Sequence, residues 1–307
     1  RANTYNIETQ HGIEFGATNR LTYGINYRYN TLSSNYIDRY RTEDRLGLYL
    51  QDEWKFTQRL TAVAGVRDDL DTFIHQTISP RASLLFAPAP DHTFRATVAV
   101  GYRPPTLFET YGDSLAVITL PPPLPSPPPI SVQGSNNLNP EEIVSYELGY
   151  QGWYLKHLFR VRANLFFNHI SDLITFRGTG PVQAGGVADI YGGEAGMEFL
   201  ATKWLSGFAN YSYQEIGQSL TGDAQRAGPR FKWNAGLRGE WENGLSGEIA
   251  YHYYGAVTYP LSAAFTTFAP LGGFTPPNPR VGSYNLLNLR GGYKFWEQKA
   301  EAGYMRD

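Results

Sequence analysis

Apolar and polar residues alternate with a period of two along almost the whole chain, the signature of strands with one face in an apolar medium. Tyr5, Ile7, Ile13 and Phe15 share a face, interrupted by Thr9 and His11; Gly16 to Asn19 form a turn. Leu21, Tyr23, Ile25, Tyr27 and Tyr29 then oppose Arg20, Thr22, Asn26 and Arg28. Leu46, Leu48, Leu50, Trp54 and Phe56 oppose Arg45, Tyr49, Gln51, Glu53 and Lys55, with Asp52 out of place on the apolar side. Leu60, Ala62, Ala64 and Val66 oppose Arg67 and Asp69. Ala82, Leu84 and Phe86 form a shorter run that Ala87-Pro88-Ala89-Pro90 should end, because proline cannot donate to a ladder. Phe94, Ala96, Val98, Val100 and Tyr102 follow.

The second half repeats the pattern. Val144, Tyr146, Leu148 and Tyr150 form one run, and Phe159, Val161, Ala163, Leu165 and Phe167 the next, opposite Arg160, Arg162, Asn164 and Asn168. Tyr191, Ala195, Met197 and Phe199 oppose Glu194, Gly196 and Glu198; Leu205, Ala209, Tyr211 and Tyr213 oppose Phe208, Asn210, Ser212 and Gln214. The cleanest strand places Phe231, Trp233, Ala235, Leu237 and Trp241 against Lys232, Asn234, Arg238, Glu240 and Glu242, and ends at the hairpin signal Asn243-Gly244. Ile249, Tyr251 and Tyr253, then Leu287, Leu289, Tyr293 and Phe295, then Ala300, Ala302 and Tyr304 complete roughly fourteen runs. Short turns and longer loops alternate between them. Two loops are long: Arg103 to Leu138, containing the proline run Pro121 to Pro129, and Val257 to Val281. The first has no strand or helix pattern of its own, and connections of that length usually carry function.

Composition narrows the class. Over 307 residues the formal net charge is -2, which points away from nucleic acid as a partner. Mean hydropathy is -0.37, and no stretch is apolar enough for a spanning helix. Yet 15% of residues are aromatic, and glycine is abundant at 32. That combination suits a membrane β-barrel, whose strand residues face lipid and water in turn. With no cysteine, disulfides and thiolate metal sites are impossible. The six histidines show no ligand spacing, and His169 with Ser171 and Asp172 lies too close along one strand to form a catalytic triad.

Two segments bracket the first long loop: Arg-Pro-Pro-Thr-Leu-Phe-Glu from Arg103, and Asn-Leu-Asn-Pro-Glu-Glu from Asn137 followed by Ser-Tyr-Glu-Leu-Gly-Tyr. Together with the hairpin from Tyr49 to Asp69 and the Asn-Leu-Phe-Phe-Asn-His-Ile-Ser-Asp-Leu-Ile segment from Asn164, they resemble the barrel domain of TonB-dependent outer-membrane receptors. The expected fold is therefore all-β: a transmembrane antiparallel β-barrel, with residues 1–307 forming part of a barrel of about 22 strands. The resemblance implies active uptake of a scarce solute such as a ferric siderophore, cobalamin, haem or another metal chelate, and no enzymatic activity or cofactor. It further implies a monomer in the outer membrane of a Gram-negative cell, with lipid around it. A plug and a segment contacting the TonB complex would lie before Arg1, and a final strand after Asp307. A passive porin-like channel and an outer-membrane barrel enzyme are the alternatives. For cargo contact the sequence nominates Arg103, Phe108 and Tyr111 in the first loop. It adds His252 and Tyr254 beside the second, with Tyr259, Phe265, Phe268 and Phe274 as further loop aromatics.

Overall fold

The computed structural model describes residues 1–37, 40–116, 130–175, 180–221, 225–259 and 279–295. Strands β1 (Ala2–Phe15), β2 (Asn19–Leu32), β3 (Arg41–Lys55), β4 (Leu60–Asp71), β5 (Thr77–Ala89) and β6 (His92–Arg103) form successive hairpins. The connection after β6 holds helix α1 (Leu107–Tyr111) and two short strands, β7 (Asp113–Ala116) and β8 (Ile130–Gln133). Strands β9 (Glu141–Tyr154) and β10 (Phe159–Ser171) follow, then β11 (Ile174–Thr175), β12 (Gly180–Pro181) and β13 (Gln183–Ala184) within the next connection. The series continues with β14 (Ala188–Leu200), β15 (Leu205–Gln218), β16 (Phe231–Glu240), β17 (Leu245–Tyr254), the short β18 (Val257–Thr258) and β19 (Arg280–Val281), and β20 (Tyr284–Tyr293).

Thirteen of these make one sheet, in the order β1-β2-β3-β4-β5-β6-β9-β10-β14-β15-β16-β17-β20. Each long strand pairs antiparallel with the next long strand along the chain, so the register is set by a series of hairpins. Strands β1 and β20 are its two edges. The fourteenth expected run, Ala300 to Tyr304, lies outside the described residues.

Connections sort by end. Residues 16–18, 56–59, 90–91, 155–158, 201–204 and 241–244 turn the chain at one end; residues 33–40, 72–76, 104–140, 172–187, 219–230 and 255–283 cross the other. In the 241–244 turn Gly244 adopts φ +86° and Leu245 N–H donates to Asn243 Oδ1 at 3.1 Å, which explains the Asn-Gly pair.

The two faces differ as the alternation demands. Leu48, Leu50, Leu84, Val98, Leu148, Leu165, Phe167, Phe231, Trp233 and Leu237 are exposed on one face. On the other face charges pair: Arg162 Nη2 with Glu198 at 2.6 Å, Arg95 with Glu147 at 3.1 Å, Arg67 with Asp69 at 2.7 Å, and Arg238 with Glu240. Apolar faces outward and ion-paired faces inward invert the logic of a soluble sandwich. They suit a barrel with lipid outside and a wet or plugged lumen. Aromatic pairs gather near the short-turn end, including Trp54 with Phe56 at 4.2 Å between ring centres and Trp204 with Trp241 at 5.5 Å. More lie toward the long-loop end, including Tyr213 with Phe231 at 5.3 Å and Trp233 with Tyr251 at 4.9 Å. Amphipathic rings favour the two membrane–water boundaries.

Two local expectations are corrected, and one exception finds its partner. The first long loop contains α1, β7 and β8, segments too short for any periodicity to reveal. The Ala87 to Pro90 segment does not end β5; the strand runs to Ala89, and its register against β6 shifts between Phe86 and Ala89 where the prolines cannot donate. Asp52, out of pattern on the apolar face, accepts both of its hydrogen bonds from Asn19 Nδ2, each at 3.0 Å, beside the short-turn end.

The two-faced sheet predicts opposite outcomes for neighbouring substitutions. Leu50→Arg, on the apolar face, should cost about 2–4 kcal/mol if the site lies near the bilayer midplane, whereas Gln51→Arg, one residue on and facing inward, should be close to neutral. Reversible urea unfolding in lipid bilayers reads both; equal penalties would overturn the assignment of faces.

Candidate functional site

At the end of the long connections, Glu109 of α1 and Glu141 at the start of β9 converge on Arg103, the last residue of β6. Its guanidinium grips Glu141, the first residue of β9, with two bonds: Nε to Oε2 at 2.7 Å and Nη2 to Oε1 at 2.8 Å. It also reaches Glu109 on α1, through Nη1 at 3.0 Å and Nη2 at 3.1 Å. A planar fork suits such bidentate pairing.

Glu109 has a second task. Thr106 caps α1 by accepting from Glu109 N–H at 3.2 Å, and Glu109 Oε2 accepts from Thr106 N–H at 2.8 Å. This reciprocal capping box satisfies two orphan amides and starts a five-residue helix that propensity alone would not hold. Pro105, just before it, is fully buried. Glu141 in turn accepts from Ile174 N–H at 2.9 Å in the next loop, and Arg226 approaches it at 3.5 Å from the loop after that. Arg226 also donates to Ile174 O at 3.0 Å.

Backbone contacts complete the assembly. Strand β8 pairs with β7 on one side and, in parallel, with β12 on the other, joining the connections on either side of the β9–β10 hairpin. Leu138, Ile174 and Val182 form a small buried cluster under them. Gly134 N–H donates to Gly112 O at 2.6 Å, and a Cβ at Gly134 would lie 2.5 Å from Thr110 O, so only glycine fits there. Both loops are thus stitched into one body on top of the sheet.

The nominated residues divide into two groups. Arg103 is absorbed by its two carboxylates. Tyr111 lies nearby, with the Arg41 guanidinium 4.0 Å above its ring and Phe73 edge-on at 5.6 Å. Phe108 is half-buried on α1. His252 and Tyr254 sit on β17, separated from β6 by five strands of the sheet, or about 29 Å along it at ~4.8 Å per strand. They line an inward-facing cleft of about 390 Å³ with Arg162, Glu194, Lys232 and Asn234. His252 Nε2 lies 3.2 Å from Asn288 Nδ2, and the Tyr254 ring stacks on Tyr284 at 4.9 Å. Tyr259 is exposed beside β18; Phe265, Phe268 and Phe274 lie outside the described residues. The sequence reading passed over Glu109, Glu141 and Arg226 as site residues. The first closes the Arg103–Glu109 segment and the second is the first glutamate of the Asn137–Glu142 segment; nothing local marked Arg226. Among the described residues no group of three or more His, Asp or Glu could hold a metal ion.

Removing Arg103 leaves Glu109, 8% exposed, and Glu141 facing each other without their shared cation. Arg103→Ala should therefore loosen the loop body by about 2–3 kcal/mol, below the full cost of breaking a buried pair because the Arg103 side chain is 42% exposed. Limited proteolysis between residues 104 and 140 measures this, and adding Glu141→Gln should recover part of the protection. Gly134→Ala should raise cleavage in the same region with every charge intact.

Comparison with known proteins places this architecture. A family model described as TonB dependent receptor-like, beta-barrel matches residues 1–303. Among solved structures, the siderophore receptor PirA from Acinetobacter baumannii superposes with a TM-score of 0.75 at 19% identity, over 97% of this chain and 49% of its own. The ferric enterobactin receptor PfeA from Pseudomonas aeruginosa gives 0.74 at 16% identity, over 96% of this chain and 46% of its own. The FrpB iron transporter from Neisseria meningitidis gives 0.73 at 15%, over 95% and 48%. The chain spans about half the length of these structures. No curated protein matches the sequence significantly. The family model covers nearly the whole chain, and the outward apolar face of the sheet agrees with it: the protein belongs to the TonB-dependent receptors, with the match in their β-barrel part.

Proposed function

We propose that this barrel belongs to an outer-membrane receptor for energy-dependent uptake of a ferric siderophore or a similar metal chelate, driven through the TonB complex. The observation that carries the reading is the loop body held over an ion-paired inner wall: it offers a cargo-sized surface above a polar path. Structural neighbours described as siderophore or ferric enterobactin receptors support the choice of cargo class. Such a receptor moves its solute without making a covalent bond, and no catalytic role is assigned to any residue.

Within this reading, Tyr111 and Phe108 offer aromatic faces to the cargo, and the Arg41 guanidinium over Tyr111 adds positive charge beside them. His252 and Tyr254 meet the cargo lower down, on the inner wall. Arg103 is a positioning residue that acts by holding α1, and with it Phe108 and Tyr111, in place.

The test is radioactive ferric-chelate uptake by cells whose receptor for that chelate is the full-length protein. Uptake should stop when the proton gradient is collapsed; uptake that persists without the gradient would favour a passive channel and sink the proposal. Tyr111→Ala combined with Phe108→Ala should weaken chelate binding about tenfold or more at normal surface expression. Arg103→Lys, which keeps the charge but loses the fork, should raise protease sensitivity and weaken binding together.

A further inference from the structure

Proline at position 80 leaves a notch in the sheet. Strand β5 pairs with β4 from Thr77 onward, but its ladder with β6 begins only at Arg81, opposite Ala99. Pro80 has no N–H to offer β6, so the two strands part above it. On the far side β6 continues to Arg103, paired with β9. Between the separated ends lies a cleft of about 630 Å³, within the range of small-ligand sites.

Its chemistry differs from that of the other polar clefts. Residues 72–78 form one wall, Tyr102 the floor, and residues 136–140 the opposite wall. No Asp, Glu, Lys or Arg lines it, whereas Arg162, Glu194 and Lys232 line the inner-wall cleft. Its polar groups are amides, hydroxyls and one imidazole. The side chains of His75, Asn136, Asn137 and Asn139 make no hydrogen bond with any described residue. Each amide offers two donors and an acceptor with two lone pairs.

Both walls are held in place. Thr72 exchanges bonds with the Asp44 backbone at 2.9 and 3.1 Å, Phe73 N–H donates to Asp71 at 2.9 Å, and Gln76 donates to Asp68 at 2.7 Å. Opposite, Leu138 is buried against Ile174 and Val182, and Ser135 N–H donates to Glu109 O at 2.9 Å. Tyr102 is tied to Glu142 at 2.7 Å. A rigid cleft spares a ligand the cost of ordering it.

We propose that this notch binds a neutral saccharide. Free amides and an imidazole match the mixed donors and acceptors of sugar hydroxyls, and the aromatic faces of Phe73 and Tyr102 suit the C–H face of a pyranose ring. An uncharged lining gives no counter-charge to a phosphate, a carboxylate or an anionic chelate. Tyr102 and Ile78 belong to the apolar, outward set of positions, so the notch opens toward the membrane-side rim. The sugar therefore comes either from a glycolipid of the surrounding leaflet or from a soluble oligosaccharide. The proposal is separate from chelate uptake and stands on different residues.

The full-length protein, purified in detergent, is applied to an array of neutral and sialylated oligosaccharides, and the sugars that co-purify with it from membranes are quantified. Wild type should retain neutral glycans, and Asn136→Ala with Asn139→Ala should lower that retention at least tenfold. The barrel's heat-modifiable gel migration and its chelate uptake should be unchanged in the double variant. Array binding identifies a soluble source; co-purified sugar lost in the double variant, without array binding, identifies a glycolipid. Binding confined to sialylated glycans, equal signals from wild type and variant, or no sugar by either measurement would overturn the proposal.

Discussion

A backbone that crosses a membrane has no water to satisfy its amides, so every N–H and C=O within the hydrocarbon must find a partner in the protein. Thirteen long strands paired in chain order meet that requirement between neighbours across the described sheet, and the rest of the structure follows from it. Consecutive antiparallel strands put alternate connections at opposite ends. One end can then be closed by turns of a few residues while the other is free to carry long segments.

Alternation assigns the faces, but the inward face needs more than polarity. Its charges sit close together, and Arg67, Arg95 and Arg162 each have a carboxylate within about 3 Å. Most of these groups are partly exposed to water, so each pair contributes little alone. Along these pairs the charge of the inward face is compensated locally, over distances of one or two strands.

The rim works differently. Arg103 serves two carboxylates, one of which starts a helix while the other accepts a loop amide. A single guanidinium thereby couples the end of β6, the start of β9, α1 and the 172–187 connection. Arginine rather than lysine is needed, because only a planar fork can hold two carboxylates in defined directions. Close by, Pro80 withdraws one donor from the sheet and opens a space whose walls are fixed by their own loops. Strong internal pairing and a local break in pairing thus lie side by side at the same rim.

Most of the fold was legible in the sequence, because partition between lipid and water acts on each side chain separately and prints a period of two. Thirteen runs, their faces and the order of short and long connections needed no knowledge of neighbours; the bracketing segments pointed to the family. The loop interior was not legible, since α1, β7 and β8 are shorter than any period that could reveal them. Long-range pairing was not legible either. Arg103 reads as a free cation at a rim until the β6–β9 register sets it beside Glu141, and Arg226 joins only through a loop 123 positions further on. His252 and Tyr254 shared a nomination with Arg103 in the sequence, yet five strands separate them in the sheet. Side-chain type and spacing decide which face a residue takes; only register and loop docking decide which residues meet.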